Sequence, residues 1–150
     1  MKIVMDSDAL IKLTKSGAKE LITENFDVTI PDRVYEETVT QAVAYPDSQE
    51  IDRNVEARRI DVKKTSHAER GEMAVLDLFK RGGYDLLVSD DNRFLKHLAS
   101  DGIPYLTPTF LIIYLLHKKI LSKLYAEKYI NNLKMYMSED SDLPSLLVQY

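Results

Sequence analysis

Short apolar segments alternate with longer amphipathic segments along this chain, and that alternation restricts its fold more than any other feature. Five short segments read as strands: residues 2–6, "DVTIPD", "IDVKK", "DLLVS" and "IPYLTP". Parallel strands need a crossover of about a dozen or more residues between them, usually a helix. The pattern therefore predicts an α/β fold with a mostly parallel central sheet.

The segments between and after these strands carry apolar residues at helical spacing. A first helix is predicted from about Asp8, with Gly17 ending it, and a second follows directly. Ser66 and Glu69 form a capping-box pattern ahead of a central helix. From the second strand onward, helices are predicted over "RVYEETVTQAVAY", "PDSQEIDRNVEARR", "GEMAVLDLFKRGG", "DNRFLKHLAS", "TFLIIYLLHKKIL" and "SKLYAEKYINNLKMYM". The tail from Ser138 receives no assignment.

The segment "TFLIIYLLHKKIL" is apolar on more than one helical face. A helix on the surface of a globular protein needs only one apolar stripe, so the additional apolar residues need a second covering surface. We therefore expect this helix to support a homo-oligomer, most simply a dimer.

Composition limits the class of protein. A length of 150 residues, with 45% hydrophobic and 29% charged residues, predicts one globular domain over residues 1–150. The absence of cysteine excludes thiolate chemistry and fits a cytoplasmic protein. We expect neither a signal peptide nor a membrane span, because the apolar runs are far below the roughly 20 residues that a span needs. The net charge of −4 disfavours non-specific nucleic-acid binding, although a cation bound among acids reverses the local potential.

Two of the predicted strands end on acidic residues. Asp6 and Asp8 follow the first strand, and Asp90 and Asp91 follow "DLLVS". Ligands of open parallel sheets bind beyond the carboxyl ends of the strands, so these acids share one crevice if the two strands are neighbours. Like charges held together repel one another, and a hard divalent cation such as Mg²⁺ or Mn²⁺ relieves that repulsion.

Acidic residues on two helices are candidates for the same cluster. Glu72 is followed by apolar residues at helical spacings of three, four and seven, so it is predicted to face inward. Glu36 and Glu37 both lie at the margin of the apolar stripe of their helix. Periodicity alone does not choose between these two glutamates.

Each of these acids also has a purely structural explanation. Asp6 and Asp91 precede predicted helices, where aspartate is a preferred cap, and Glu72 suits the first turn of its helix. The three histidines lack metal-ligand spacing, and the chain has no nucleophile elbow, P-loop or dinucleotide-binding motif. The combination of acids, more than any single one, favours a functional site.

Four segments of the chain, in this order, resemble those of the PIN domain, the fold of many small metal-dependent ribonucleases that include VapC-like toxins. They are "IVMDSDALI", "IPDRVYEET", "ERGEMAVLDL" and "LLVSDDNRFL". The resemblance covers roughly residues 1–115. It implies a three-layer α/β/α fold with a mostly parallel central sheet, followed by extra C-terminal helices over about residues 116–150.

Carried over position by position, the resemblance implies a pocket that binds one or two divalent ions, Mg²⁺ or Mn²⁺. It implies catalytic roles for Asp6, Glu37, Glu72, Asp90 and Asp91. Among these, the implied metal ligands are Asp6, Glu72 and Asp91. Ser89 is assigned to substrate binding by orienting a ligand water, and Arg93 by touching a flanking phosphate.

The function that the resemblance implies is a divalent-metal-dependent endoribonuclease that cleaves phosphodiester bonds of single-stranded RNA, as the toxin of a toxin–antitoxin pair does. Its implied partners are RNA and an antitoxin protein that blocks the pocket. Two alternatives stay open. "IVMDSDAL" is similar to the strand end of haloacid-dehalogenase-like phosphatases, with Asp6 as nucleophile and Asp8 as acid–base group. A catalytically degenerate PIN-like protein that binds or regulates a partner is the other.

Overall fold

The computed structural model describes residues 1–42, 45–65 and 71–136. Within these ranges five parallel strands form one sheet in the order β3-β2-β1-β4-β5. The strands are β1 (Lys2–Met5), β2 (Asp27–Pro31), β3 (Ile60–Lys63), β4 (Leu86–Val88) and β5 (Tyr105–Leu106). All five coincide with predicted strand segments, so the prediction of a parallel α/β sheet is confirmed.

Eight α-helices and one π-helical turn occur in the described ranges, and they confirm the three-layer α/β/α arrangement. They are α1 (Ser7–Ser16), α2 (Lys19–Asn25), α3 (Asp32–Tyr35), the π-helical turn (Glu36–Thr40), α4 (Pro46–Glu56), α5 (Gly71–Lys80), α6 (Asn92–Ser100), α7 (Pro108–His117) and α8 (Lys123–Lys134). The predicted capping box of Ser66 and Glu69 and the tail from Ser138 lie outside the described residues. Among the helices that are described, none combines the length and the apolar content that a membrane crossing requires.

The neighbouring strands β1 and β4 are apolar after the exposed Lys2, because helices cover both faces of the sheet. Ile3 and Val4 of β1 and Leu87 and Val88 of β4 are fully buried. Val4 is paired with Leu87 across the two strands. Strands buried in this way form a well-packed platform for the residues that follow them.

The direction of the strand order reverses between β1 and β4. The strands β2 and β3 extend the sheet on one side of β1, and β4 and β5 extend it on the other. In open α/β sheets the ligand crevice lies at such a switch point, outside the carboxyl ends of the two strands. Asp6 directly follows β1, and its backbone N–H donates to the carbonyl of Val88 at 3.1 Å. The fold therefore brings the acids after the two strands side by side.

The segment "RVYEETVTQAVAY" departs from the single α-helix that its pattern predicts. After α3 the chain forms the π-helical turn, where the N–H of Gln41 donates to the carbonyl of Glu36, five residues earlier, at 2.8 Å. The hydroxyl of Thr38 donates to the carbonyl of Val34 at 2.7 Å, and this bond competes with the regular helical pattern. The wider turn changes which side chains share a face, and thereby the direction of Glu37.

Helix α7 is apolar on several faces because it is packed inside the protein. Leu111, Ile112 and Leu115 are buried, and α8 packs on α7 and on α1 through buried residues such as Ile130 and Leu133. The second covering surface that the sequence calls for is therefore part of the same chain. Because α8 covers α7, the apolar faces of α7 give no reason to expect a dimer. A homo-oligomer stays a prediction.

Candidate active site

An open cavity of about 460 Å³ lies at the switch point of the sheet. Its walls come from four stretches of chain: the start of α1, the π-helical turn, the start of α5 and the start of α6. The lining residues are Asp6, Ser7, Asp8, Glu37, Gly71, Glu72, Asp91 and Arg93. Five of these eight residues are carboxylates and one is a cation, so the cavity is strongly acidic.

Asp6 is the most deeply buried acid of the cavity, with 4% of its surface exposed. Its Oδ1 accepts a hydrogen bond from the N–H of Ala9 at 2.9 Å and caps α1, so the structural explanation of this residue is correct as well. Burial raises the pKa of Asp6 to about 7, although hydrogen bonds from Ser89 and Ala9 lower it. The negative charges of Asp8 and Asp91 also contribute to this raised pKa. Asp6 therefore carries an unfavourable charge at neutral pH.

Ser89 joins Asp6 to the residues after β4. It is fully buried, its hydroxyl donates to Oδ2 of Asp6, and its oxygen accepts from the N–H of Asp91 at 3.2 Å. The contacts of Ser89 suit a residue that positions Asp6, and its full burial leaves no surface for direct contact with a substrate. That Ser89 orients a ligand water stays a prediction.

The consecutive acids Asp90 and Asp91 point to different places. Asp91 lines the cavity, and its Oδ1 accepts from the N–H of Phe94 at 3.1 Å, so it also caps α6. Asp90 is outside the cavity lining, and its Oδ2 lies 2.6 Å from Nζ of Lys12. Asp90 therefore lies beside the cavity and not in its lining.

Lys12 is an ammonium held between two acids at the edge of the cluster. Its Nζ lies 2.6 Å from Oδ2 of Asp90 and 3.0 Å from Oδ2 of Asp8. Burial lowers the pKa of Lys12, but the hydrogen bonds and charges of the two carboxylates outweigh burial and leave it above its ordinary value. For Asp90 the largest effect is burial, which raises its pKa against the opposing effect of Lys12. Lys12 therefore neutralises part of the acidic cluster.

Glu37, rather than Glu36, faces the cavity. Oε2 of Glu37 accepts from the hydroxyl of Ser7 at 2.5 Å, and Oε1 accepts from Nε of Arg33 at 3.2 Å. The side chain of Glu36 is 51% exposed, compared with 27% for Glu37. Oε2 of Glu36 pairs with Nη1 of Arg33. The alternative that periodicity left open is thus resolved by the π-helical turn.

The start of α5 contributes Gly71 and Glu72 to the wall of the cavity. Glu72 lines the cavity but is exposed, which corrects the prediction that it faces inward: it stands at the lip, and the buried stripe of α5 consists of Ala74, Val75 and Leu78. Gly71 lies so close to Glu37 that a Cβ added there would be 2.9 Å from Oε2 of Glu37. A glycine here leaves room for the glutamate.

The model of the PIN-domain family matches residues 2–140. The chain belongs to the PIN-domain family. This assignment confirms the resemblance, and PIN domains are in general nucleases. None of the curated proteins matches the chain significantly.

Membership of the PIN-domain family argues against the phosphatase alternative. Asp6 is almost fully buried, and each of its two oxygens accepts one hydrogen bond, which fixes the direction of the carboxylate.

The donor set of this PIN domain suits a divalent cation. Carboxylate oxygens are hard ligands that Mg²⁺ and Mn²⁺ prefer, and a cation beside Asp6 would offset its unfavourable charge. Within the described part of the chain, no three acidic or histidine side chains converge closely enough to ligate one ion together. Mg²⁺ sites commonly use one or two carboxylates and several waters. The residues present thus fit an ion held by a pair such as Asp6 and Asp91, with water completing its shell.

Four residues with clear roles in the PIN-domain site were not found from the sequence: Ser7, Lys12, Arg33 and Gly71. Two of them carried a signal, because Lys12 follows Asp8, and Arg33 precedes Glu37, at the four-residue spacing of helical ion pairs. Ser7 and Gly71 act on Glu37 across about 30 residues or more of chain, and no local pattern reveals such contacts.

Substituting Gly71→Ala is expected to displace the carboxylate of Glu37 and to lower the free energy of unfolding by about 1 kcal/mol, since the bonds from Ser7 and Arg33 are disturbed. In a Glu37→Ala background the same substitution should cost almost nothing, because the atom that the new Cβ meets is gone. Urea denaturation of the four proteins of this cycle measures the coupling. An equal loss in both backgrounds would instead indicate backbone strain at Gly71.

Proposed function

We propose that this PIN domain is a divalent-metal-dependent ribonuclease that cleaves single-stranded RNA. The observation that carries the proposal is the convergence of five carboxylates, from four separate stretches of chain, around one open cavity at the switch point of a PIN-domain sheet. Carboxylates held close together repel one another, and proteins bring them together mainly where they bind a cation.

In this proposal Asp6 and Asp91 hold the cation from the ends of β1 and β4. Both carboxylates are held by the backbone N–H groups that they cap, so their direction is set before a ligand arrives. Glu72, at the exposed lip, and Glu37, next to Gly71, supply oxygens that bind the water molecules of the ion. A bound Mg²⁺ or Mn²⁺ supplies a Lewis acid that polarises the phosphodiester and lowers the pKa of water.

The remaining residues orient these carboxylates. Ser89 fixes Asp6, and Ser7 and Arg33 fix Glu37, each through a direct hydrogen bond. Partners of this kind hold a ligand oxygen in one direction and usually matter for metal affinity. Asp90 takes no direct part, because it is paired with Lys12 outside the cavity lining.

Arg93 is the residue best suited to contact the phosphate backbone. It lines the cavity from the first turn of α6, it is exposed, and no carboxylate of the described ranges lies within ion-pair distance of its guanidinium. A guanidinium binds phosphate oxygens through a planar fork of donors. The acids that surround it repel RNA unless a cation is bound, so RNA binding is expected to need the metal ion. The toxin role and an antitoxin partner stay predictions.

Substituting Asp91→Asn tests the proposal, because asparagine keeps the cap of α6 while it removes the charge. We expect Mn²⁺ binding by calorimetry to weaken, and cleavage of a labelled single-stranded RNA to fall, by at least about 100-fold. The matched control is Asp61→Asn, which removes an exposed carboxylate outside the cavity.

The outcomes separate the hypotheses. Undiminished metal binding and cleavage by the Asp91→Asn protein would reject the role of Asp91. A wild-type protein that neither binds Mn²⁺ nor cleaves RNA would reject the ribonuclease proposal and favour the degenerate, partner-binding alternative. An equal loss in the Asp61→Asn protein would indicate a general charge effect.

A further inference from the structure

A second groove, of about 380 Å³, opens between α5 and α6 beside the acidic cavity. Its lining residues are Glu72, Met73, Leu76, Arg93, Phe94 and His97. Glu72 and Arg93 belong to both linings, so the groove and the acidic cavity share one wall. A polymer that crosses the acidic cavity can therefore extend directly into the groove.

The floor of the groove is apolar and fixed. Phe94 is buried in the hydrophobic core, and Leu76 packs against that core from α5. Met73, by contrast, is 56% exposed, although methionine is an apolar residue that the fold could have buried. Its thioether is polarizable and suits contact with the flat face of a ring.

The α6 side of the groove carries one guanidinium and one imidazole side chain. Arg93 and His97 are one helical turn apart and both are exposed. Nε2 of His97 lies 3.4 Å from Oδ2 of Asp101. Arg93 has no ion-pair partner in the described ranges. An apolar floor next to such donors matches a nucleotide, which has a flat apolar base and a charged phosphate.

We propose that the groove between α5 and α6 binds the nucleobase next to the scissile phosphate of single-stranded RNA, with Met73 against the base and Arg93 on the phosphate. The inference rests on the proposed function, which puts the scissile phosphate at the acidic cavity. Contact is mainly with the face of the base. The groove therefore accepts different bases at this position but discriminates against a nucleotide that has no base.

The test uses fluorescence anisotropy of labelled RNA oligomers in Ca²⁺, with their integrity checked on a denaturing gel. One oligomer carries all its bases, and a series carries a single abasic site at successive positions. Wild-type protein should lose about fivefold in affinity at the abasic position that faces the groove. Met73→Ala should bind the complete oligomer about fivefold more weakly and should no longer respond to the abasic site. Met135→Ala is the matched control, because Met135 is 76% exposed and directly follows the end of α8.

Failure of this inference can be told apart from failure of the proposed function. If wild-type protein cleaves RNA in Mn²⁺ but Met73→Ala behaves as Met135→Ala does in every binding assay, only the base site is rejected. If wild-type protein binds no oligomer and cleaves none, the proposed function is rejected with it. A Met73→Ala effect on self-association in sedimentation, without an effect on RNA affinity, would overturn the proposal and assign the groove to a protein contact.

Discussion

Substituting Asp6→Asn should stabilise the metal-free protein by about 4 kcal/mol at about pH 8 and should leave its stability at pH 3 to 4 almost unchanged. The reason is the buried position of Asp6, whose pKa is raised from 3.8 to about 7 in the folded protein. Each unit of this rise in pKa corresponds to about 1.4 kcal/mol of folding free energy. Asparagine has no charge to bury, and its amide can still accept from the N–H of Ala9 and donate to the hydroxyl oxygen of Ser89.

The sign of the pH dependence follows from proton binding. Between about pH 4 and pH 7 the folded wild-type protein holds a proton on Asp6 that the unfolded chain has released. The free energy of unfolding of the wild-type protein therefore falls as the pH rises through this window. The Asp6→Asn protein lacks this contribution, so the difference between the two proteins should grow with pH and level off above about pH 7.

Urea denaturation in the presence of a chelator, at several pH values between 4 and 8, measures this difference. Asp61→Asn serves as the control, because its carboxylate is exposed. A gap between wild type and Asp6→Asn that stays constant with pH would contradict the buried, uncompensated charge of Asp6. Saturating Mn²⁺ should then raise the stability of wild type at about pH 8 and leave that of Asp6→Asn much less changed, since a ligand stabilises only the state that binds it.

Substituting Lys12→Met should lower the free energy of unfolding by about 3 kcal/mol near neutral pH. Lys12 is the cation that faces Asp90, whose side chain is only 10% exposed, and it also reaches Asp8. Methionine preserves the length and much of the packing of lysine but leaves the carboxylate of Asp90 without a counter-charge. Removal of one partner from a largely buried ion pair costs more than the pair itself contributes, because an unpaired charge remains.

A second substitution identifies the source of that loss. Adding Asp90→Asn to Lys12→Met should restore most of the stability, because the buried charge is then gone. Lys15→Met is the matched control on the same helix: Lys15 is exposed, and its ammonium lies only above the ring of Tyr136, at 5.7 Å. Thermal or urea unfolding of these proteins measures the cycle. If the double variant were as unstable as Lys12→Met alone, the cost would come from packing around Lys12 and not from Asp90.

Much of the fold followed from local patterns. β1, β2 and β4 contain short, mostly apolar runs, which are buried because helices cover both faces of the sheet there. The position of Asp6 and Asp91 followed from a general property of parallel sheets, in which the carboxyl ends of neighbouring strands share an edge. These inferences needed only the order of elements and the residues at their ends.

The finer assignments failed where side-chain direction depends on an irregular backbone or a distant partner. Glu36 and Glu37 could not be separated by a helical period, because the chain there is a π-helical turn. Asp90 and Asp91 are adjacent acids after the same strand, and only the partner Lys12, 78 residues from Asp90, draws one of them away. Ser89 was assigned from the sequence to orienting a ligand water, and only the folded structure shows that its hydroxyl is fully buried and bonded to Asp6.

By itself, the sequence determined that the sheet is parallel, the approximate bounds of its described elements and the strand ends that carry acids, since periodicity and the residues that follow a strand are local properties of the chain. Only the tertiary structure decided which acids share the cavity, which of them is paired with Lys12, and that α8 covers α7. Those outcomes depend on burial and on contacts between residues far apart in sequence, and the free energy of a charge is set by the groups around it in the folded protein.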